Sequence, residues 1–217
     1  MNRREFSAAA AVVLGASALS WPHLALAQAR APEKGKDFRA LDKKVPVEAP
    51  AGKIEVVEFF WYSCPHCNAF EPLLNAWLKK LPPDVSFRRV PVAFRDDFVP
   101  QQRLYYTLEA MGKVDALHDK VFDAIHKEHQ PTDREDRILA FADKNGLDKA
   151  KFQEIYNGFA VATKARKAKQ LQDDYQVDGV PALGVAGKYY TDGTLAGGMP
   201  RALQVLDYLI AEARRSR

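Results

Sequence analysis

Two cysteines, Cys64 and Cys67, are the only ones among 217 residues, and they stand in the order Cys-Pro-His-Cys. A pair so spaced can form a reversible disulfide, and it is a thiolate, not a thiol, that attacks one. With no further cysteine in the chain, a disulfide-rich scaffold, a four-cysteine zinc site and an iron–sulfur cluster held by four of its own thiolates are excluded. Half a zinc site completed by His118, His126 or His129 is permitted by spacing. His126 and His129 lie three apart on one helical segment, but their charged neighbours read as a solvated face, and nothing in the sequence brings that face to Cys64. An inert disulfide would close too small a loop to stabilise much. The expected chemistry is therefore dithiol–disulfide exchange, with no metal and no cofactor beyond the Cys64/Cys67 pair itself.

The elements around the pair explain how it could be activated. Ile54–Phe60 is a short β-prone run that reads as a buried strand. After the pair, Phe70, Leu73, Leu74, Trp77, Leu78 and Leu81 recur at helical spacing until Pro82-Pro83. Residues 85–94 alternate as a second strand. Cys64 then falls at the first turn of a helix, where free backbone N–H groups and the helix dipole stabilise a thiolate. Cys67, one turn on, faces the protein and can resolve a mixed disulfide. Pro65 suits an early helical position, where its missing N–H costs little. His66 can donate a hydrogen bond or place positive charge near the sulfur. Glu58, flanked by apolar residues, is expected to be buried, with its pKa raised by desolvation. Trp61 and Tyr62 lie close enough to Cys64 to shape a substrate surface.

The middle of the chain is helical. One segment carries Leu104, Leu108 and Met111, and a second Val114, Leu117, Val121 and Ile125. Thr132-Asp133-Arg134-Glu135 is a capping-box pattern opening a third, with Gly146 as its stop. Asp148 can N-cap a fourth, stapled by Leu147 and Phe152. A long Lys-rich helix follows to Tyr175. Strand character then returns in Ala182–Val185 after Gly179-Val180-Pro181, with a hairpin turn at Gly187-Lys188, and Pro200 opens a last helix. A short edge strand is expected within residues 38–45. The two β-containing ends must complete one sheet, with residues 98–165 inserted as helices.

At 47% hydrophobic and 28% charged residues, the composition is that of a folded globular protein. The net charge of +4 is spread among acidic residues without a basic stripe, which argues against nucleic acid as a partner. Residues 1–29 read as an export signal, with Arg3 and Arg4, an Ala-rich apolar stretch, and cleavage after Ala27 or Ala29. Arg3-Arg4 before Phe6 partly matches a twin-arginine signal, and a Sec route fits as well. Either points to the periplasm, where a cysteine pair can stay oxidised.

These residues match a family. Glu58-Phe59-Phe60-Trp61-Tyr62-Ser63-Cys64-Pro65-His66-Cys67 resembles the active-site strand and helix start of the DsbA thiol:disulfide oxidoreductases. Gly179-Val180-Pro181-Ala182 and Val185-Ala186-Gly187-Lys188-Tyr189 resemble their cis-proline loop and hairpin. The resemblance spans residues 36–213. It implies an α/β thioredoxin-like fold in two parts, residues 30–97 and 166–217, with an inserted helical domain at 98–165. It also implies that Cys64 is the nucleophile and Cys67 the resolving thiol, that Val180 and Pro181 face the pair and bind substrate, and that Glu58 is the buried acid beneath it. By the same resemblance the protein is an exported monomeric oxidase. Its partners would be newly exported cysteine-containing proteins and a quinone-linked membrane oxidase of the DsbB type. Rival functions are a disulfide isomerase or reductase on the same fold and a chaperone-like peptide-binding module. The short stretch of about 25 residues before the first strand disfavours the added N-terminal domain through which such isomerases dimerise.

Overall fold

The structure, a computed structural model, describes residues 30–216, so the expected export signal and its cleavage sites lie outside the described residues. From Pro32 onward the chain forms one compact unit. Its frame is a five-stranded sheet built from β1 (Arg39–Ala40), β2 (Ile54–Phe60), β3 (Val85–Pro91), β4 (Ala182–Val185) and β5 (Tyr189–Asp192), in the order β1-β5-β4-β2-β3. β2 and β3 run parallel, with α1 (Pro65–Leu78) as the crossover between them; the remaining neighbours are antiparallel. The two ends of the chain thus share one sheet. Between β3 and β4 run α2 (Val99–Ala110), α3 (Val114–His126), α4 (Glu135–Lys144), α5 (Lys149–Asn157) and α6 (Phe159–Asp174), preceded by a 3₁₀ turn at Asp96–Phe98. Residue 165 falls inside α6, one continuous helix. After β5 come the short α7 (Gly193–Ala196) and α8 (Met199–Arg215).

β2 is buried along its whole length because both faces are covered. Val57 and Phe59 pack in a cluster with Leu104 and Leu108 of α2 and Val161 of α6. Ile54 and Val56 pack on the other face with Phe70 and Leu74 of α1 and Leu206 and Leu209 of α8. Alternation therefore aims Glu58 toward the α1 side.

The expected short edge strand within 38–45 is β1, two residues long. Three local expectations need correction. Leu73 is 43% exposed and does not belong to the buried stripe of α1, which is Cys67, Phe70, Glu71 and Leu74. No capping box forms at Thr132: Arg134 is the N-cap without a side-chain cap, and Thr132 turns inward to accept from Gln101 at 3.3 Å. The tight turn after β4 is centred on Ala186-Gly187, one residue earlier than expected. Both have positive φ, and Lys188 N donates to Val185 O at 2.9 Å. Gly187 is required there, since a Cβ would sit 2.0 Å from Val45 O.

Asp148 does cap α5, accepting from Lys151 N at 2.9 Å, with Leu147 and Phe152 buried beside it. Asp148→Ala should cost about 1 kcal/mol of unfolding free energy, seen as a lower urea midpoint at unchanged slope.

Candidate functional site: a cysteine pair over a buried ion cluster

Cys64 is the N-cap of α1, with extended backbone (φ −82°, ψ 117°), and Pro65 follows in the first turn. Its sulfur is thus aimed at the unpaired N–H groups of the first turn. Both cysteines are reduced and buried. The pKa of Cys64 is lowered to about 6. The largest cause is a hydrogen bond from the Cys67 thiol. Burial opposes it, backbone N–H groups of Cys67 and His66 add to it, and the charge of the His66 ring contributes least. Cys67 is pushed the other way, mainly by burial and then by Cys64 itself. One sulfur is set up to be a thiolate and the other a thiol, although both belong to one turn of helix.

The His66 ring favours the thiolate, as expected, but less than the Cys67 thiol and the backbone N–H groups do. The ring is exposed and lines a cavity of about 550 Å³ with Val180, Pro181 and Met199. His66→Leu should therefore lower the reduction potential of the pair, but by less than the roughly 30 mV that 1.4 kcal/mol represents for a two-electron couple. Equilibration with glutathione measures it; an unchanged potential would mean the ring acts only on bound substrate.

The Val180-Pro181 peptide bond is cis, as expected for this loop. It faces the pair: as a thiol, Cys64 donates to Val180 O at 3.4 Å. Trp61 is half-buried and stacks on Phe98 at 3.9 Å between ring centroids. Phe98 meets Phe94 at 5.7 Å, and Phe94 is exposed. Trp61, Phe98 and Phe94 thus form an aromatic ledge beside Cys64. Tyr62 is not part of any substrate surface: it is only 1% exposed, and its hydroxyl is buried against His118 Nδ1 at 2.9 Å.

That contact overturns a second expectation. His126 does not lie on a solvated face remote from the pair, and neither does His118. His118 is buried and also meets Glu71 Oε1 at 3.2 Å, and His126 Nε2 donates to Tyr62 O at 2.8 Å. Gln101 of α2 accepts from Ser63 N at 3.2 Å and donates to Ser63 Oγ at 2.7 Å. The inserted helices therefore grip the loop that delivers Cys64. Among the described residues no cluster of three or more His, Cys, Asp or Glu could hold a metal ion.

Glu58 is fully buried, as expected, and its pKa is raised by desolvation and then by the nearby Glu71, against the pull of Arg89. Arg89 of β3 lies with Nε 3.0 Å from Glu58 Oε2 and donates through Nη2 to Glu71 Oε2 at 3.0 Å and to Asn75 Oδ1 at 3.3 Å. Sequence reasoning missed Arg89, Glu71, His118 and Gln101. One available signal was Glu71, a charge on the buried stripe of α1 four residues after Cys67.

A reduced cysteine pair at a helix start, apposed to a cis-proline loop on a thioredoxin-like sheet, defines a dithiol–disulfide exchange site. Residues 55–205 match the family model described as a DSBA-like thioredoxin domain. The chain is 44% identical over 191 residues to the thiol:disulfide interchange protein DsbA of Burkholderia cepacia, covering 88% of this chain and 90% of that one. It is 47% identical over 180 residues to its counterpart in Azotobacter vinelandii, covering 83% and 84%. The crystal structure of Pseudomonas aeruginosa DsbA superposes with a TM-score of 0.79 at 46% identity, covering 84% of this chain and 94% of that one. The chain belongs to the DsbA family.

Proposed function

We propose that this protein is a thiol:disulfide oxidoreductase that donates the Cys64–Cys67 disulfide to cysteine pairs of newly exported polypeptides in the periplasm. The observation that carries this reading is the split pair: a low-pKa Cys64 at the helix N-terminus, beside the cis Val180-Pro181 loop, over a buried high-pKa Cys67. A client thiolate attacks Cys64 Sγ, the Cys64–Cys67 bond breaks, and Cys67 leaves and takes up a proton. The second client thiolate then attacks the client sulfur of the mixed disulfide and expels Cys64 as a thiolate. The client loses two electrons and the pair gains them. Cys64 is the better final leaving group because its low pKa stabilises the anion.

Val180 and Pro181 present a backbone edge on which an extended client segment can lie, and Trp61 contributes the aromatic ledge. Glu58, whose charge acts on Cys67, is the group that exchanges its proton. The relatives named as thiol:disulfide interchange proteins, and the signal-like residues 1–29, support an exported location; no helix among the described residues is long and apolar enough to cross a membrane. Turnover then requires re-oxidation by a membrane partner, for which a quinone-linked oxidase of the DsbB type is the proposal. The test compares oxidative refolding of a reduced client, repair of a scrambled one and reduction of insulin. An oxidase leads in the first; dominance of the second identifies an isomerase, and of the third a reductase.

A further inference from the structure

Between Tyr62 and Glu58 runs a chain of buried polar contacts, and its components do not balance in charge. Tyr62 Oη meets His118 Nδ1 at 2.9 Å, His118 Nε2 meets Glu71 Oε1 at 3.2 Å, and Arg89 bridges Glu71 and Glu58. Two carboxyl groups share one guanidinium, so their site keeps a proton unless His118 is charged. The groups packed around His118 do not charge it. Phe60, Tyr62, Tyr105 and Phe122 surround its ring, and of the charged groups Arg89 repels a proton while Glu71 and Asp119 attract one. Burial outweighs the rest and holds His118 below its ordinary pKa, hence neutral.

The question is which carboxyl keeps the proton. Glu71 accepts an aligned hydrogen bond from Arg89 and faces the His118 ring nitrogen. Glu58 has an ion-pair contact with Arg89 at 3.0 Å, but neither of its oxygens, both buried, has an aligned hydrogen-bond partner. Negative charge settles on the carboxylate with more donors. This fixes the tautomer: Tyr62 O–H donates to Nδ1, and Nε2–H donates to Glu71.

We propose that His118 is a positioning residue for the exchange reaction: by donating to Glu71 it holds the charge of the carboxyl pair there and leaves the proton on Glu58. The inference rests on the dithiol-exchange reading and deepens it. When the Cys64–Cys67 bond breaks, the Glu58 carboxylic acid passes its proton to the departing Cys67 sulfur. Glu58, now an anion beside anionic Glu71 with one cation between them, is re-protonated from solvent. Were the proton on Glu71 instead, Cys67 would leave against a carboxylate.

The test reads the carboxyl groups directly. The infrared spectrum of the wild-type protein should contain the C=O stretch of a protonated buried carboxyl that disappears in Glu58→Gln. In His118→Phe the proton should pass to Glu71, so the Glu58 band should give way to one at a different frequency, and the pH at which exchange is half-maximal should move by about a unit. His118→Gln, whose amide can donate to Glu71, should restore both. Persistence of the Glu58 band and the parent pH profile in His118→Phe overturns the proposal, as does failure of a folded His118→Gln to restore them. If His118→Phe does not fold, Glu58→Asp and Glu71→Asp carry the test, because each keeps a carboxyl at its position and so the charge count around Arg89. Glu58→Asp should shift the band and Glu71→Asp should leave it in place, whereas a proton already on Glu71 predicts the reverse. The infrared measurement needs no client, so its failure is distinct from failure of the exchange reading, which the refolding assay decides.

Discussion

Cys67→Ser should turn a turnover catalyst into a trap: incubated with a disulfide-containing client, it should accumulate a mixed disulfide through Cys64 that persists until a reductant is added. Cys64→Ser should form none. The asymmetry follows from ionisation and access together. With a pKa of about 6, Cys64 is roughly nine-tenths thiolate at pH 7, whereas Cys67, held well above an ordinary thiol and fully buried, is less than about 1% ionised. Ionisation alone therefore separates the two sulfurs by on the order of 100-fold in reactive anion. Non-reducing electrophoresis of the two variants checks it; comparable trapping by both would dissolve the assignment of nucleophile and resolving thiol. A third variant separates the causes of the low pKa. The leading stabiliser of the Cys64 thiolate is the Cys67 side chain. Cys67→Ala should raise the Cys64 pKa further than Cys67→Ser, whose hydroxyl can still donate.

The reduced protein should lose stability as pH falls from 9 to 6, and the reduction potential should change slope near pH 6. Cys64 is lowered from an ordinary value of 9.0 to about 6 in the folded protein, so the stability it contributes is fully present above pH 9 and is lost as pH falls through 6. At 1.36 kcal/mol per unit the undamped contribution is about 4 kcal/mol. Screening at a sulfur this close to the surface reduces it to about 2, of which on the order of 1 kcal/mol remains at pH 7. Cys67 has the opposite sign, but its raised value affects stability only above pH 9. The disulfide form carries neither contribution. At pH 7 the oxidised protein should therefore melt below the reduced one, with the gap closing toward pH 6. Below pH 6 both sulfurs take up a proton on reduction and the potential should fall by about 59 mV per pH unit; above it only Cys67 does, and the slope should halve to about 30 mV. One unbroken slope from pH 5 to pH 8 would show that Cys64 titrates as an ordinary thiol.

Much of this fold could be read in advance because its strongest signals are local. Ile54–Phe60 is a run of β-prone residues between turns, and the periodicity of α2 and α3 is set by Leu and Val at helical spacing. What escaped was decided by distant contacts. Thr132 has the right neighbours for a capping box but finds Gln101, which lies 31 residues earlier. Ala186 takes positive φ, a place periodicity would give to glycine or asparagine. At the site, the cysteines and the cis-proline loop were legible because their chemistry is written in short motifs. Glu58 was legible because its neighbours are apolar. Arg89, Glu71 and His118 were not, since a charged residue in a helix or strand reads as solvent-facing until its partner, from another element, is known.

The two borders of the sheet bear on how such a protein survives its own clients. Unfolded chains are rich in unpaired amide groups, and an open strand border would recruit them indiscriminately into sticky, growing aggregates. Here one border is β1, only two residues long. The other is β3, where Arg88 and Arg89 supply charge, Gln102 donates to Pro91 O at 2.8 Å and Gln172 accepts from Ala93 N at 2.9 Å just past the strand's end. If the protein works as proposed, contact with unfolded polypeptide is thereby steered away from the strand borders and toward the Val180-Pro181 loop, where a chain would be held only as long as a sulfur–sulfur bond lasts.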